Sequence, residues 1–197
     1  EELIMETSVR LNVLKQYGGI LPYYEVFYIT FLRLHIEKSL ENFGWFFEIY
    51  RQGNDESKPA LMHLAEAIRH AGIVGHYFFP SRKKPHHLLR AQKLKQRFLV
   101  EENSPLSEIQ MRNDIEHLDE KMDEYFLGDI FGYLLPFCIT EEDFTESDFE
   151  TGHVFLAANP RTAKVYILNK SYEFGPLMVE LRRLQPSVRN ADLNDGQ

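Results

Sequence analysis

A run of aromatic and aliphatic residues, LPYYEVFYITFLRLHIEKSLENFGWFFEIY over residues 21–50, limits what this chain can fold into more than any other stretch. Glu25, Arg33, His35, Glu37 and Lys38 interrupt it too often for a membrane span. It reads as a buried amphipathic helix that opens with Pro22 in its first turn, tolerates Gly44 inside and ends near Tyr50. The segment RQGNDESKP closes it. Leu61, Leu64, Ala65, Ile68, Ile73 and Tyr77 follow helical spacing and predict a second helix over residues 58–79, stopped by Pro80.

Ser104 and Pro105 suit the N-cap and first turn of a third long helix, with Leu106, Ile109, Ile115, Leu118, Met122 and Phe126 as its apolar stripe. An acidic linker, EEDFTESDFETG, then leads into HVFLAANPRTAKVYIL, two β-rich runs around an Asn-Pro turn signal, which predicts a hairpin. GPLMVELRRLQ reads as a short final helix with Pro176 in its first turn, and NADLNDGQ as a polar tail. With 197 residues, 44% of them hydrophobic, one core with appendages is expected. The expectation is a mainly α-helical bundle over residues 1–138, with the linker, hairpin and short helix of residues 139–197 appended to the same domain.

A net charge of −8 argues against a dedicated duplex-DNA binder, although it leaves room for a local basic patch. The single cysteine, Cys138, rules out an intrachain disulfide and a thiolate metal cluster, and its apolar neighbours suggest a buried, inert thiol. The stretch EELIMETSVRLN lacks the basic start and apolar run of a signal peptide, so a cytoplasmic protein without membrane association is expected. There is no Gly-rich phosphate loop, no strand-turn-helix nucleophile motif and no H-E-x-x-H zinc motif, and no cofactor is expected. Asp114 with His117, Glu66 with His70, and Glu37 or Glu41 have spacings that a carboxylate-bridged metal could use. They are too few for four matched helices, and a solvated acidic face is the plainer reading.

Residues 81–97 hold Arg82, Lys83, Lys84, Arg90, Lys93, Lys95 and Arg97 with His86 and His87, and no acidic residue. Such a run can neutralise phosphates of a single strand, which makes Arg82, Lys83, Lys84, Arg90 and Lys93 candidate RNA-binding residues; the alternative is a solvated connector. Just downstream, MRNDIEHLDEKMDEYF contains Arg112, Asn113 and His117 in an R-N-x-x-x-H pattern. An imidazole can move a proton to or from a ribose hydroxyl or leaving oxygen, while a guanidinium binds phosphate at two points. On an ideal helix Asn113 and His117 share a face, whereas Arg112 and His117 stand about 140° apart. Arg-x4-6-His spacings also occur at Arg69 to His76 and Arg82 to His87, so spacing by itself singles out nothing.

R-N-x-x-x-H near the start of a late helix, after a helical pair, resembles the HEPN superfamily, and SPL followed by RNDIEHLDE resembles a bacterial group of HEPN-like proteins. The resemblance covers residues 21–126. It implies an antiparallel, HEPN-like helical bundle and a homodimer in which two motif helices face each other across an RNA-cleaving cleft. It also implies a metal-independent endoribonuclease or RNA-binding effector, with an antitoxin or other protein as a further partner. Arg112 would then bind phosphate, His117 would act as acid or base, and Asn113 would position substrate or His117. Six nearby carboxylates oppose RNA binding there. The competing reading is a non-catalytic interaction module in which Arg112 pairs with Glu116 and His117 joins a structural network.

Overall fold

The computed structural model describes residues 2–53, 57–108, 110–128 and 131–195. The protein is mainly helical, with a small four-stranded sheet. Helix α1 is Glu2–Gln16, a segment the sequence pattern did not single out, and α2 is Pro22–Gln52. Leu21 is extended ahead of Pro22, and Gly53 ends α2 in the left-handed conformation (φ +66°), donating its N–H to the Tyr50 carbonyl. The buried residues Ile29, Leu32, Ile36, Ser39, Phe43 and Phe46 recur every three or four positions and form one stripe.

Helix α3, Ser57–Phe78, lies against that stripe. Tyr28 meets Tyr77, His35 meets His70, Ser39 Oγ donates to the Ala67 carbonyl, and Asn42 meets His63. Numbers that rise along α2 fall along α3, so the two are antiparallel. Helix α3 is buried on more than one side because Ala60, Ala65, Ala67, Ala71 and Gly75 alternate with Leu61, Leu64, Ile68, Val74 and Phe78. At Gly75 a Cβ would come within 2.6 Å of the Leu106 carbonyl oxygen, so the small residue there permits a close backbone approach.

The basic segment is a helix rather than a connector. In α4, Pro85–Phe98, Ala91, Leu94 and Phe98 face the core, so the cations fall on the remaining surface. The long third helix expected from Ser104 is divided. Residues 105–107 form a 3-10 turn capped by the Ser104 hydroxyl, followed by α5, Gln110–Glu116, and α6, Leu118–Tyr125. The break falls on His117 (φ −114°, ψ +35°). Leu106 and Ile115 are buried and Leu118 and Met122 pack at the edge of the core, but Phe126 is exposed and Ile109 lies outside the described residues.

The expected hairpin is present as β2, Gly152–Asn159, and β3, Lys164–Ile167. It is the middle of a larger sheet, β1-β2-β3-β4. Strand β1, Tyr133–Ile139, runs parallel to β2, and the short helix α7, Glu146–Thr151, lies in the crossover. Strand β4, Lys170–Glu173, pairs antiparallel with β3 through Leu168 and Asn169, both at positive φ as a primed two-residue turn requires. Helix α8, Gly175–Asp195, is longer than expected: Leu177, Leu181, Leu184 and Val188 continue a buried stripe past Pro186, whose ring faces solvent. Phe174 packs on Phe43, Phe46 and Phe47 and brings the sheet and α8 into the same core as α2 and α3. Cys138 is half-buried on β1, and burial pushes its thiol pKa up. No helix among the described residues is long and apolar enough to cross a membrane.

Asp143, from the acidic segment before α7, fastens the far side of the sheet. It accepts hydrogen bonds from Lys164 Nζ at 2.6 Å, Thr162 Oγ1 at 2.7 Å, Asn159 Nδ2 at 2.8 Å and the Tyr166 hydroxyl at 3.0 Å. The Lys164 bond leads in holding its pKa down to about 2. An unfolded aspartate titrates near about 3.9, so this network contributes stability that is present above about pH 4 and is lost as pH falls through about 2. Asp143→Asn should therefore lower the Tm at neutral pH, and thermal unfolding followed by circular dichroism should show the gap from wild type shrinking as pH falls from about 4 to about 2.

Candidate functional site

Pro80 stops α3 and Pro85 starts α4, so the chain reverses within a few residues. The last turns of α3 and the first turns of α4 then face each other, with Tyr28 of α2 as the third wall. They enclose an open cleft of about 440 Å³. Tyr28, Ile73 and Tyr77 give it an apolar side, and His76, Arg82, His87 and Arg90 a polar, cationic one.

Arg90 is the most constrained of these cations. One terminal nitrogen donates to the His76 carbonyl at 2.8 Å, the guanidinium lies 5.7 Å from the Tyr77 ring centre, and its Nε is buried with no hydrogen-bond partner. Burial pushes its pKa down, though arginine stays charged at any physiological pH. Among the described residues no carboxylate forms an ion pair with Arg82, Lys83, Lys84 or Arg90. Arg82 and Arg90 line the cleft, Lys84 is the extended residue ahead of α4, and Lys83 borders a separate depression with Phe79 and Lys95. Lys93 is engaged elsewhere, 2.7 Å from a Glu25 oxygen and 3.2 Å from the Ile20 carbonyl.

Two histidines in the cleft have their pKa values lowered. Burial, then Arg112, lower the pKa of His76, Glu116 opposes them, and Arg90 adds a smaller push downward. Burial also lowers that of His87, followed by His86, Arg90, Arg82 and Lys84. The sequence offered a signal for both in the spacings Arg69 to His76 and Arg82 to His87. Spacing alone did not separate them from chance, and Arg69 itself turns to Glu66.

The R-N-x-x-x-H residues divide between interior and surface. Arg112 is buried, and its Nε and one terminal nitrogen donate to Asn113 Oδ1 at 3.2 and 2.7 Å. Its other terminal nitrogen reaches His76, at 2.8 Å from Nε2 and 3.4 Å from Nδ1, with Glu116 at 3.6 Å. Gly72 makes room for it: a Cβ there would collide with the Arg112 side chain. His117 is more than half exposed at the helix break, its side chain 3.9 Å from Glu120, and it shares no hydrogen bond with Arg112. Arg112 therefore sits behind the cleft, in contact with its wall only through His76, Asn113 holds Arg112, and His117 lies apart from both.

Asp114 points inward, accepting from the Tyr172 hydroxyl at 2.5 Å, Lys170 at 2.9 Å and Gln110 at 2.9 Å. Burial works to raise its pKa, and these donors together outweigh that and hold it low. The other carboxylates weighed as metal ligands also have partners: Glu66 pairs with Arg69, Glu37 with Arg33 and Glu41 with Lys38, while His70 meets His35. Comparison with protein families, curated proteins and solved structures finds no match.

Gly72→Ala tests how Arg112 is seated. The added methyl should displace the guanidinium and destabilise the protein by roughly 1–3 kcal/mol. Thermal unfolding should show the loss, and the His76 ring resonances should shift while those of His63 stay in place.

Proposed function

We propose that this protein binds single-stranded RNA in the α3–α4 cleft and cleaves it without a metal, as a cytoplasmic RNA-acting effector of HEPN type. The observation that carries this reading is a pair of cations on the cleft, Arg82 and Arg90, with no carboxylate partner among the described residues of a chain of net charge −8. Uncompensated guanidiniums beside aromatic walls suit a phosphate with an adjoining base, and neutral imidazoles alongside supply proton transfer. A homodimer belongs to the same proposal: Phe126, Leu127 and Leu134, exposed past the motif helices, give an apolar surface for a second copy.

A second reading, a non-catalytic interaction module that meets an antitoxin or other protein, draws on the burial of Arg112 among internal partners. A guanidinium so engaged is accounted for by structure alone.

Anisotropy titrations with labelled single-stranded RNA in EDTA separate the two. Wild type should bind with an affinity that falls steeply with salt, and Arg90→Gln and Arg82→Gln should each weaken binding roughly 10-fold. The bound RNA should be cut to 2′,3′-cyclic phosphate and 5′-hydroxyl ends. Absence of binding at low salt would leave the interaction module standing.

A further inference from the structure

The two cleft histidines are not equivalent in their proton chemistry. Arginine has no lone pair to offer, so the ring nitrogen it approaches most closely, His76 Nε2 at 2.8 Å, must accept. The single proton of a neutral His76 then sits on Nδ1, and the ring is held as a hydrogen-bond donor. Protonating Nε2 would set two cations in contact.

His87 is under no such restraint. It lies on the first turn of α4, half-buried on the cleft, with the His86 ring tilted against it and 4.1 Å away. Arg82, Lys84 and Arg90 face it from its own segment, His76 and Tyr77 from α3, and Tyr28 from α2. Among the described residues no acidic group pairs with it. Such surroundings disfavour the imidazolium and leave His87 with a lone pair near neutrality.

We propose that His87 is the general base of the cleft, that His76 donates from Nδ1 to a phosphate held by Arg90 and Arg82, and that Arg112 positions His76 without touching substrate. His117 has no part in the chemistry. This rests on the RNA-cleaving function proposed above and assigns its residues. In the step itself, His87 takes the proton of a ribose 2′-hydroxyl, and the 2′ oxygen bonds to the adjacent phosphorus. The bond from phosphorus to the 5′ oxygen breaks, and that oxygen leaves with a proton from water. Protonated His87 returns its proton to solvent, so no oxidant, reductant or co-reactant is consumed.

Single-turnover cleavage of labelled RNA in EDTA, from about pH 5.5 to about pH 8.5, tests the assignment. Relative to wild type, His87→Ala should cleave about 100-fold more slowly, lose the rise in rate with pH, and recover with added imidazole. Its RNA affinity should stay within roughly threefold, and His117→Ala should cleave at roughly the wild-type rate. Nitrogen chemical shifts of wild-type His76 should report a protonated Nδ1 and a bare Nε2. In Arg112→Met, checked for folding by circular dichroism, His76 should titrate at higher pH and kcat should fall with KM little changed.

If His117→Ala abolishes cleavage while His87→Ala does not, the base is His117 and the assignment is overturned. RNA binding by a wild type that never cleaves would overturn the assignment but leave the binding cleft. A wild type that neither binds nor cleaves would remove both.

Discussion

Helix α3 is the element on which the rest of the fold depends, and what makes that arrangement workable is how little side chain it carries at certain positions. A helix flanked by α2, α4, α5 and the sheet has only a narrow solvent side, taken by Met62, Glu66 and Arg69, on which to place bulk. Ala60, Ala67, Ala71 and Gly75 let neighbouring backbones close in, while Leu61, Leu64, Ile68 and Phe78 fill what remains. Gly72 continues the same economy one residue after Ala71, and the gap it leaves is occupied by a guanidinium rather than an aliphatic chain. The packing of the core and the placing of the site are consequently one problem.

A buried guanidinium demands acceptors, and the way Arg112 finds them explains the residue next to it. Its nearest carboxylate, Glu116, stays 3.6 Å away and partly in water. Asn113 instead supplies a neutral oxygen that takes two of its N–H groups, and His76 takes a third. The Arg-Asn pair therefore satisfies a buried charge locally and leaves one donor to reach across to α3. Because Arg90 grips the backbone carbonyl of the same His76, the α5 and α4 cations meet on a single residue of the cleft wall.

How much of this was legible in the sequence varies with the physics of each element. Helices α2 and α3 could be placed to within about two residues because their apolar spacing is sustained over many turns and punctuated by Pro22, Gly53 and Pro80. In α4 the stripe Ala91, Leu94 and Phe98 was present but hidden by charge, which drew attention to the surface rather than the periodicity. Strand β1 carries Pro136, which argues against a central strand and is tolerated because β1 is an edge. Strand β4, KSYE, has almost no apolar residue and exists because Leu168 and Asn169 turn the chain back on β3. The site was half visible: the cations of residues 81–97 and Arg112 could be named. That His76 and His87 share a cleft is a tertiary fact, since α3 and α4 bring together spacings that look like chance when read along the chain.

In the proposed RNA-binding reading, charge distribution favours the cleft over His117 as the place for a phosphate. His117 stands at the head of α6, where Asp119, Glu120, Asp123 and Glu124 are all exposed and only Lys121 offsets them. At physiological ionic strength, screening over about 8 Å leaves the nearest charges dominant, so a phosphate approaching His117 would meet mainly these carboxylates. Around His87 the sign is opposite. Arg82, Lys84 and Arg90 have no carboxylate partner among the described residues, and the carboxylates of α5 are turned to other partners, Asp114 to Tyr172 and Lys170 and Glu116 to Arg112. The proposed anion site is compatible with a net charge of −8 because, among the described residues, acidic groups pair or gather elsewhere while Arg82 and Arg90 on the cleft have no carboxylate partner.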